Sequence, residues 1–164
     1  PTTGHIAIDD VETERPAAVV HGLTGPLGLT DLAMNYYEPE PGDSFAYASH
    51  SHEVREAVFY VIEGTATFET ESGDVTVGTS EAVRFAREEF QRLNRGDERV
   101  VALALGTPPA YGDRVTLRYC QGCDEETDNG LDHVDDGDAA VARCTQCGVE
   151  TGRWHRGSTP GEAP

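Results

Sequence analysis

Two stretches of the chain gather side chains that bind metals. The first is His50-Ser51-His52, followed four residues on by Glu56. Residues i and i+2 of a strand share a face. His50 and His52 are therefore expected to aim two imidazoles at one point, with Glu56 able to add an oxygen. Two histidines and a carboxylate suit iron, manganese, nickel or zinc, although a surface strand that happens to carry two histidines has the same spacing. The second stretch is more specific. Cys120-Gln121-Gly122-Cys123 and Cys144-Thr145-Gln146-Cys147 are two Cys-x-x-Cys pairs with twenty residues between them. Four thiolates close a tetrahedron on zinc and leave no position open for chemistry. Iron is the rival metal. Gly122 and Gly148 suit the tight turns that bring backbone N–H groups toward sulfur.

The elements that must position these residues are short. Residues 16 to 22 read as a first strand after an acidic lead-in, and Gly22, Gly25, Pro26 and Gly28 mark a turn-rich loop. The glycine spacing is wrong for a phosphate loop, and no helical pattern follows it. Strand-like runs then recur at 29–37, 45–52, 58–62, 65–71, 75–77, 82–85, 90–93 and 100–105, with turns at Glu63-Gly64 and Ser72-Gly73-Asp74. None of them holds a 3.6-residue period over three turns. Many short strands with glycine-rich turns point to an antiparallel barrel or sandwich. Gly106-Thr107-Pro108-Pro109 ends the series.

Composition limits the functions available. Asp and Glu number 30 against 12 Lys+Arg, for a formal net charge of −18, and every one of those cations is arginine. Recurrent apolar alternation argues against disorder, so the charge is read as halophilic: in multimolar salt the screening length is about 3 Å and self-repulsion is suppressed. No basic patch is present to gather phosphates, so no nucleic-acid partner is expected. The longest apolar run is six residues, far short of a membrane span. Pro1-Thr2-Thr3-Gly4-His5 lacks the basic start and apolar core of a signal peptide. A cytoplasmic protein is expected, and its cysteine pairs read as metal ligands and not disulfides.

Gly42, His50-x-His52, Glu56 and the run Val58 to Gly64 resemble the first motif of the cupin superfamily, and Val83 to Asn94 resembles its weaker second motif. The resemblance covers about residues 16 to 107. It implies an all-β fold: a conical double-stranded β-helix barrel of antiparallel jelly-roll type, holding one metal, with barrels paired as homodimers. It also implies a ligand set. Gln91 stands where the family has its third histidine. Counting forward from His52 puts the carboxylate ligand at Glu56, whereas counting back from Gly64 reaches Ala57. A one-residue shift sends a side chain to the other face, and only a β-bulge would return Glu56 inward. The cysteine pairs resemble a zinc ribbon or a rubredoxin-type knuckle pair.

The expected organisation is a lead-in (1–15), a cupin barrel (16–107), a linker (108–117), a zinc ribbon (118–156) and a tail (157–164). A unit as small as the ribbon depends on its metal for folding. Its acidic insert, 124–138, reads as an exposed loop, His133 and His155 as surface residues, and Trp154 as packing the ribbon on the barrel. The expected cofactors are zinc at Cys120, Cys123, Cys144 and Cys147, and a second divalent ion (iron, manganese, nickel or zinc) at His50, His52, Glu56 and Gln91. The expected function is binding of a small molecule in the barrel, in a regulatory role. The alternatives are a metal-dependent dioxygenase or isomerase, and a dimeric scaffold whose ribbon docks a partner. Tyr36, Tyr37, Phe45, Tyr47, Phe59 and Phe85 are candidates either for pocket walls or for ordinary core. No residue is assigned a catalytic role.

Overall fold

A computed structural model of the chain describes residues 3–15, 18–38, 49–89, 91–93, 98–110, 114–137 and 139–155. Among these are fourteen strands: β1 (Thr13–Arg15), β2 (Ala18–Gly22), β3 (Ala33–Tyr37), β4 (Ser49–His52), β5 (Glu56–Glu63), β6 (Ala66–Thr70), β7 (Gly73–Val77), β8 (Ala82–Phe85), β9 (Gln91–Leu93), β10 (Val101–Thr107), β11 (Arg114–Cys120), β12 (Glu125–Val134), β13 (Ala139–Cys144) and β14 (Glu150–His155). One helical turn, α1 (Thr24–Leu27), fills the glycine-rich loop after β2 and ends on Gly28 at φ 68°. Phe45, Tyr47, Phe90 and the expected tail lie outside the described residues, as do the side chains of His50, His52, Gln91, Trp154 and His155.

The strands form two sheets. One has the order β1-β2-β3-β10-β5-β8, and the other β14-β13-β12-β11-β4-β9-β6-β7. All the pairings described are antiparallel. The alternation visible in the sequence sets which face is buried. On β5, Phe59 and Val61 are buried while Tyr60 and Ile62 are exposed. On β6, Ala66 and Phe68 face inward, and on β8 Phe85 does. Phe59, Phe68 and Phe85 form a mutual aromatic cluster, with ring centroids 5.1 Å apart for Phe59–Phe68 and for Phe68–Phe85, and 6.0 Å for Phe59–Phe85. Tyr37 joins it 6.2 Å from Phe59. These rings, with Val20, Val61, Val77, Val100, Ala102 and Ala104, make the barrel core. Tyr37, Phe59 and Phe85 are thus core residues.

Gly64 closes the β5–β6 turn at φ 83°, a conformation that favours glycine, and a Cβ there would lie 2.2 Å from the Arg99 carbonyl oxygen. Arg99 bridges Glu38 and, at 2.8 Å, Glu63 across the same end of the sheet.

Two expectations about the C-terminal half change. The acidic insert is no loop: Glu125 to Val134 is a ten-residue strand. Its inward residues are Thr127 and Asn129, both buried, so its alternation has no apolar signature. Residues 114–117, read as linker, are strand β11, which pairs with β4 on one side and β12 on the other. The cysteine-bearing strands therefore extend the barrel's own sheet. His133 is exposed, as expected.

Candidate metal centres

The Cys-x-x-Cys pairs sit at two chain reversals that face each other. Cys120 ends β11 and Cys144 ends β13. Each reversal closes with the same bond: the N–H four residues on donates to the first cysteine's carbonyl, Asp124 to Cys120 at 2.8 Å and Gly148 to Cys144 at 2.9 Å. Both donors have positive φ, 59° at Asp124 and 76° at Gly148. The sequence flagged only the glycine, because aspartate also tolerates this region. Gly122 serves differently. Its φ is ordinary, but a Cβ there would lie 3.1 Å from both Cys147 Sγ and Val149 Cγ2, so glycine leaves room for the opposing knuckle.

The four sulfurs lie within 4.8 Å of one another. Cys120 and Cys147 are 3.4 Å apart and Cys123 and Cys144 are 3.8 Å apart. All four cysteines are free. A zinc–sulfur bond of about 2.3 Å gives a tetrahedral edge of roughly 3.8 Å, so the spacing fits one tetrahedral ion. Without metal the thiols differ in acidity. Cys144 is drawn down to about 6, chiefly because the Thr127 hydroxyl donates to its sulfur at 3.2 Å. Cys123 is pushed up to about 12, first by its hydrogen bond with Cys147 and then by burial. The Thr127 hydroxyl thus favours the thiolate form of Cys144, the form that a cation binds.

A polar network backs this centre. Asn129 donates to the Thr127 carbonyl at 2.6 Å and accepts from the Thr151 hydroxyl at 2.6 Å. Asp128 accepts the Thr116 N–H at its carboxylate, 2.9 Å, and accepts both the N–H and the hydroxyl of Thr145 at its carbonyl, each 3.0 Å. Arg118 donates twice to the Thr151 carbonyl, at 3.1 and 2.8 Å. Buried polar groups are tolerated when they find partners in this way. Sequence reasoning missed these residues because their burial carries no apolar pattern.

The histidine strand is placed by its backbone. In register, His50 stands opposite Gln91 of β9 and opposite Thr116 of β11, and His52 stands opposite Arg114. The chain thus brings His50 and Gln91 to one register position across two strands. Glu56 is placed elsewhere. The β5 register with β10 runs unbroken from Glu56 to Val61 and slips only between Val101 and Ala102, so no bulge lies near Glu56. Ala57 has the parity of Phe59 and packs against the core. Glu56 has the opposite parity, and its carboxylate accepts a hydrogen bond from Arg84 at 3.2 Å, with both side chains well exposed. Counting back from Gly64 was the informative direction.

Arg55, between the two positions, is 6% exposed. Its Nε donates to the Pro108 carbonyl at 3.1 Å and its guanidinium also reaches the Pro109 carbonyl. It lies over Gly106, where a Cβ would come within 2.6 Å of its Cδ. Arg55 ties the loop after β4 to the segment that leads into β11.

Residues 35–106 match the cupin domain model, and the two-sheet barrel described above is the cupin fold. Solved structures agree on the fold. The polyketide cyclase RemF from Streptomyces resistomycificus superposes with a TM-score of 0.61 at 21% identity, covering 73% of this chain and 89% of its own. A sugar phosphate isomerase from Silicibacter pomeroyi gives 0.55 at 18% identity and covers 95% of each chain. The oxalate decarboxylase of Lactobacillus farciminis gives 0.56 at 17% identity over 68% of this chain and 35% of its own. Among curated proteins, none matches in sequence. No helix among the described residues is long and apolar enough to cross a membrane.

Proposed function

We propose that this protein is a small-molecule-binding cupin with a structural zinc at Cys120, Cys123, Cys144 and Cys147, and with His50, His52 and Gln91 as the polar contacts of its barrel site. The observation that carries this reading is the outward, Arg84-paired Glu56 with Ala57 in the inward position. An oxygenase site wants three protein ligands with open positions beside them. Without the carboxylate, two imidazoles and a weak amide oxygen remain, a set better suited to holding a ligand than to holding iron through turnover. The exposed Tyr60 and Ile62, with Tyr36 and Leu103 in register beside Tyr60, support pairing of two copies through the outer face of the six-stranded sheet. The acidic, lysine-free composition supports a halophilic cytosol as the setting.

Metal content per chain tests the reading, on protein purified in high salt without a histidine tag or added metal. One zinc per chain is expected, retained in the His50→Ala/His52→Ala variant and lost in Cys144→Ala. A second ion lost only with the histidine pair would overturn the binding role and favour an enzyme. The second reading, a metal-dependent isomerase, is favoured by one observation: the sugar phosphate isomerase matches this chain over 95% of both lengths, cysteine half included. Conversion of sugar phosphates by the purified protein, abolished by His52→Ala, would establish it.

A further inference from the structure

Among the described residues, β4 meets β9 at one register position, His50↔Gln91, and β11 at four, from Ser49↔Leu117 to His52↔Arg114. β11 in turn runs straight into Cys120. The second knuckle is joined to the same place by a shorter route. Thr145 beside Cys144 holds the Asp128 carbonyl, the Asp128 carboxylate holds the Thr116 N–H, and Thr116 is the register partner of His50. Arg55 fastens the far end of the β4 loop to the carbonyls just before β11. Everything that fixes β11 therefore bears on the histidine strand.

The barrel core's cluster of described side chains comes from β2, β3, β5, β6, β7, β8 and β10 with Val100, and takes none from β11 to β14. Proteins open in units that follow such divisions of contact. The cysteine half buries small and polar side chains, among them Thr116, Thr127, Asn129 and Ala139 to Ala142, and has less apolar surface with which to hold itself closed.

We propose that metal at the four cysteines controls the histidine strand. When the centre is loaded, β11 is held in register on β4 and the site at His50 and His52 is formed. When it is empty, β11 and β4 loosen together while the β3–β10–β5 core stays folded. The inference rests on the structural-zinc reading above and adds a regulatory role to it. Because coupling is reciprocal, occupancy of the histidine site then tightens the cysteine centre.

Amide hydrogen exchange on the full chain in high salt tests this, comparing zinc-loaded protein with protein stripped by a chelator. Exchange at residues 49–52 and 114–117 should quicken at least about tenfold on stripping, while 57–61 and 102–105 stay protected. Asp128→Ala separates the two roles. It cuts the bond to Thr116 but keeps the carbonyl that holds Thr145, so it should retain one zinc per chain and still quicken exchange at 49–52. Unchanged exchange at 49–52 in stripped protein would overturn the control and leave the structural zinc standing. Loss of protection across 57–61 and 102–105 as well would overturn it too, since the effect would then be global. Failure of the cysteines to take zinc at all would remove both readings.

Discussion

Thr127 directs a buried hydroxyl at the sulfur of Cys144. Thr127→Val would keep the shape and remove the donor. Groups that orient metal ligands are worth about 10- to 100-fold in affinity, so this variant should bind zinc at least tenfold more weakly, measured by competition with a chromophoric chelator. Gly64 and Gly73 form a matched pair for backbone strain. Both have positive φ, but a Cβ at Gly73 meets nothing within 4 Å, whereas one at Gly64 meets the Arg99 carbonyl. Gly73→Ala should cost about 1 kcal/mol from conformation alone, and Gly64→Ala clearly more, measured by denaturant unfolding in high salt. At Glu150, the hydrogen bond from Arg153 holds the carboxyl below its ordinary value. Its contribution is complete above about pH 4.3 and is lost as pH falls through the lowered folded value. Glu150→Gln should flatten that acid limb by lowering stability slightly at neutral pH while leaving it nearly unchanged at low pH, read from melting curves across pH. The cysteine quartet was legible at this scale because four thiols at fixed spacing have few other uses. The Glu56 position was not, since one residue of register decides its face and the turn that sets the register lies at Gly64.

Among the elements, most barrel strands could be read, whereas β1 was taken for lead-in and the strands of the cysteine half were not read. β5, β6 and β8 turn apolar side chains inward at alternate positions, among them Phe59, Val61, Ala66, Phe68 and Phe85, which is the pattern that sequence reasoning detects. β12 and β11 also alternate, but their inward residues are Thr127, Asn129 and Thr116. Burial there is secured by hydrogen bonds, so the strands look like acidic loop and linker. Arg55 shows the same limit, being a charged residue in a turn that is almost wholly buried against two proline carbonyls. Lysine has no planar fork to reach both carbonyls. Arg55→Lys should therefore destabilise the loaded protein by about 1–3 kcal/mol, in the range for lost hydrogen bonds to a charged group, with faster exchange at 114–117 as its local sign.

For the whole molecule, the long sheet is the feature that sequence division obscures. Because β11 pairs with β4, a chain cut after Thr107 would not be a barrel freed of an appendage. It would expose the edge of β4, and open edges recruit other chains. Such a fragment should aggregate or fail to reach the elution volume of a compact monomer or dimer in size exclusion, whereas the full chain with zinc should not. A formal charge of −18 also makes the full chain repel itself in dilute buffer. Its melting temperature should climb as potassium chloride rises from about 0.1 M to about 3 M and screening tightens.

The pairing of β4 with β11 also sets an order of events at birth. β5 to β10 lie between them in the chain, so a polypeptide leaving the ribosome displays its histidine strand long before the partner for it has been made. Contacts so distant in sequence form late and slowly, and nascent chains carry their unpaired edges in the meantime. The aromatic core can gather first, from strands already present. The strand that carries the histidines is completed only when β11, made after all of the barrel strands, has emerged to pair with it.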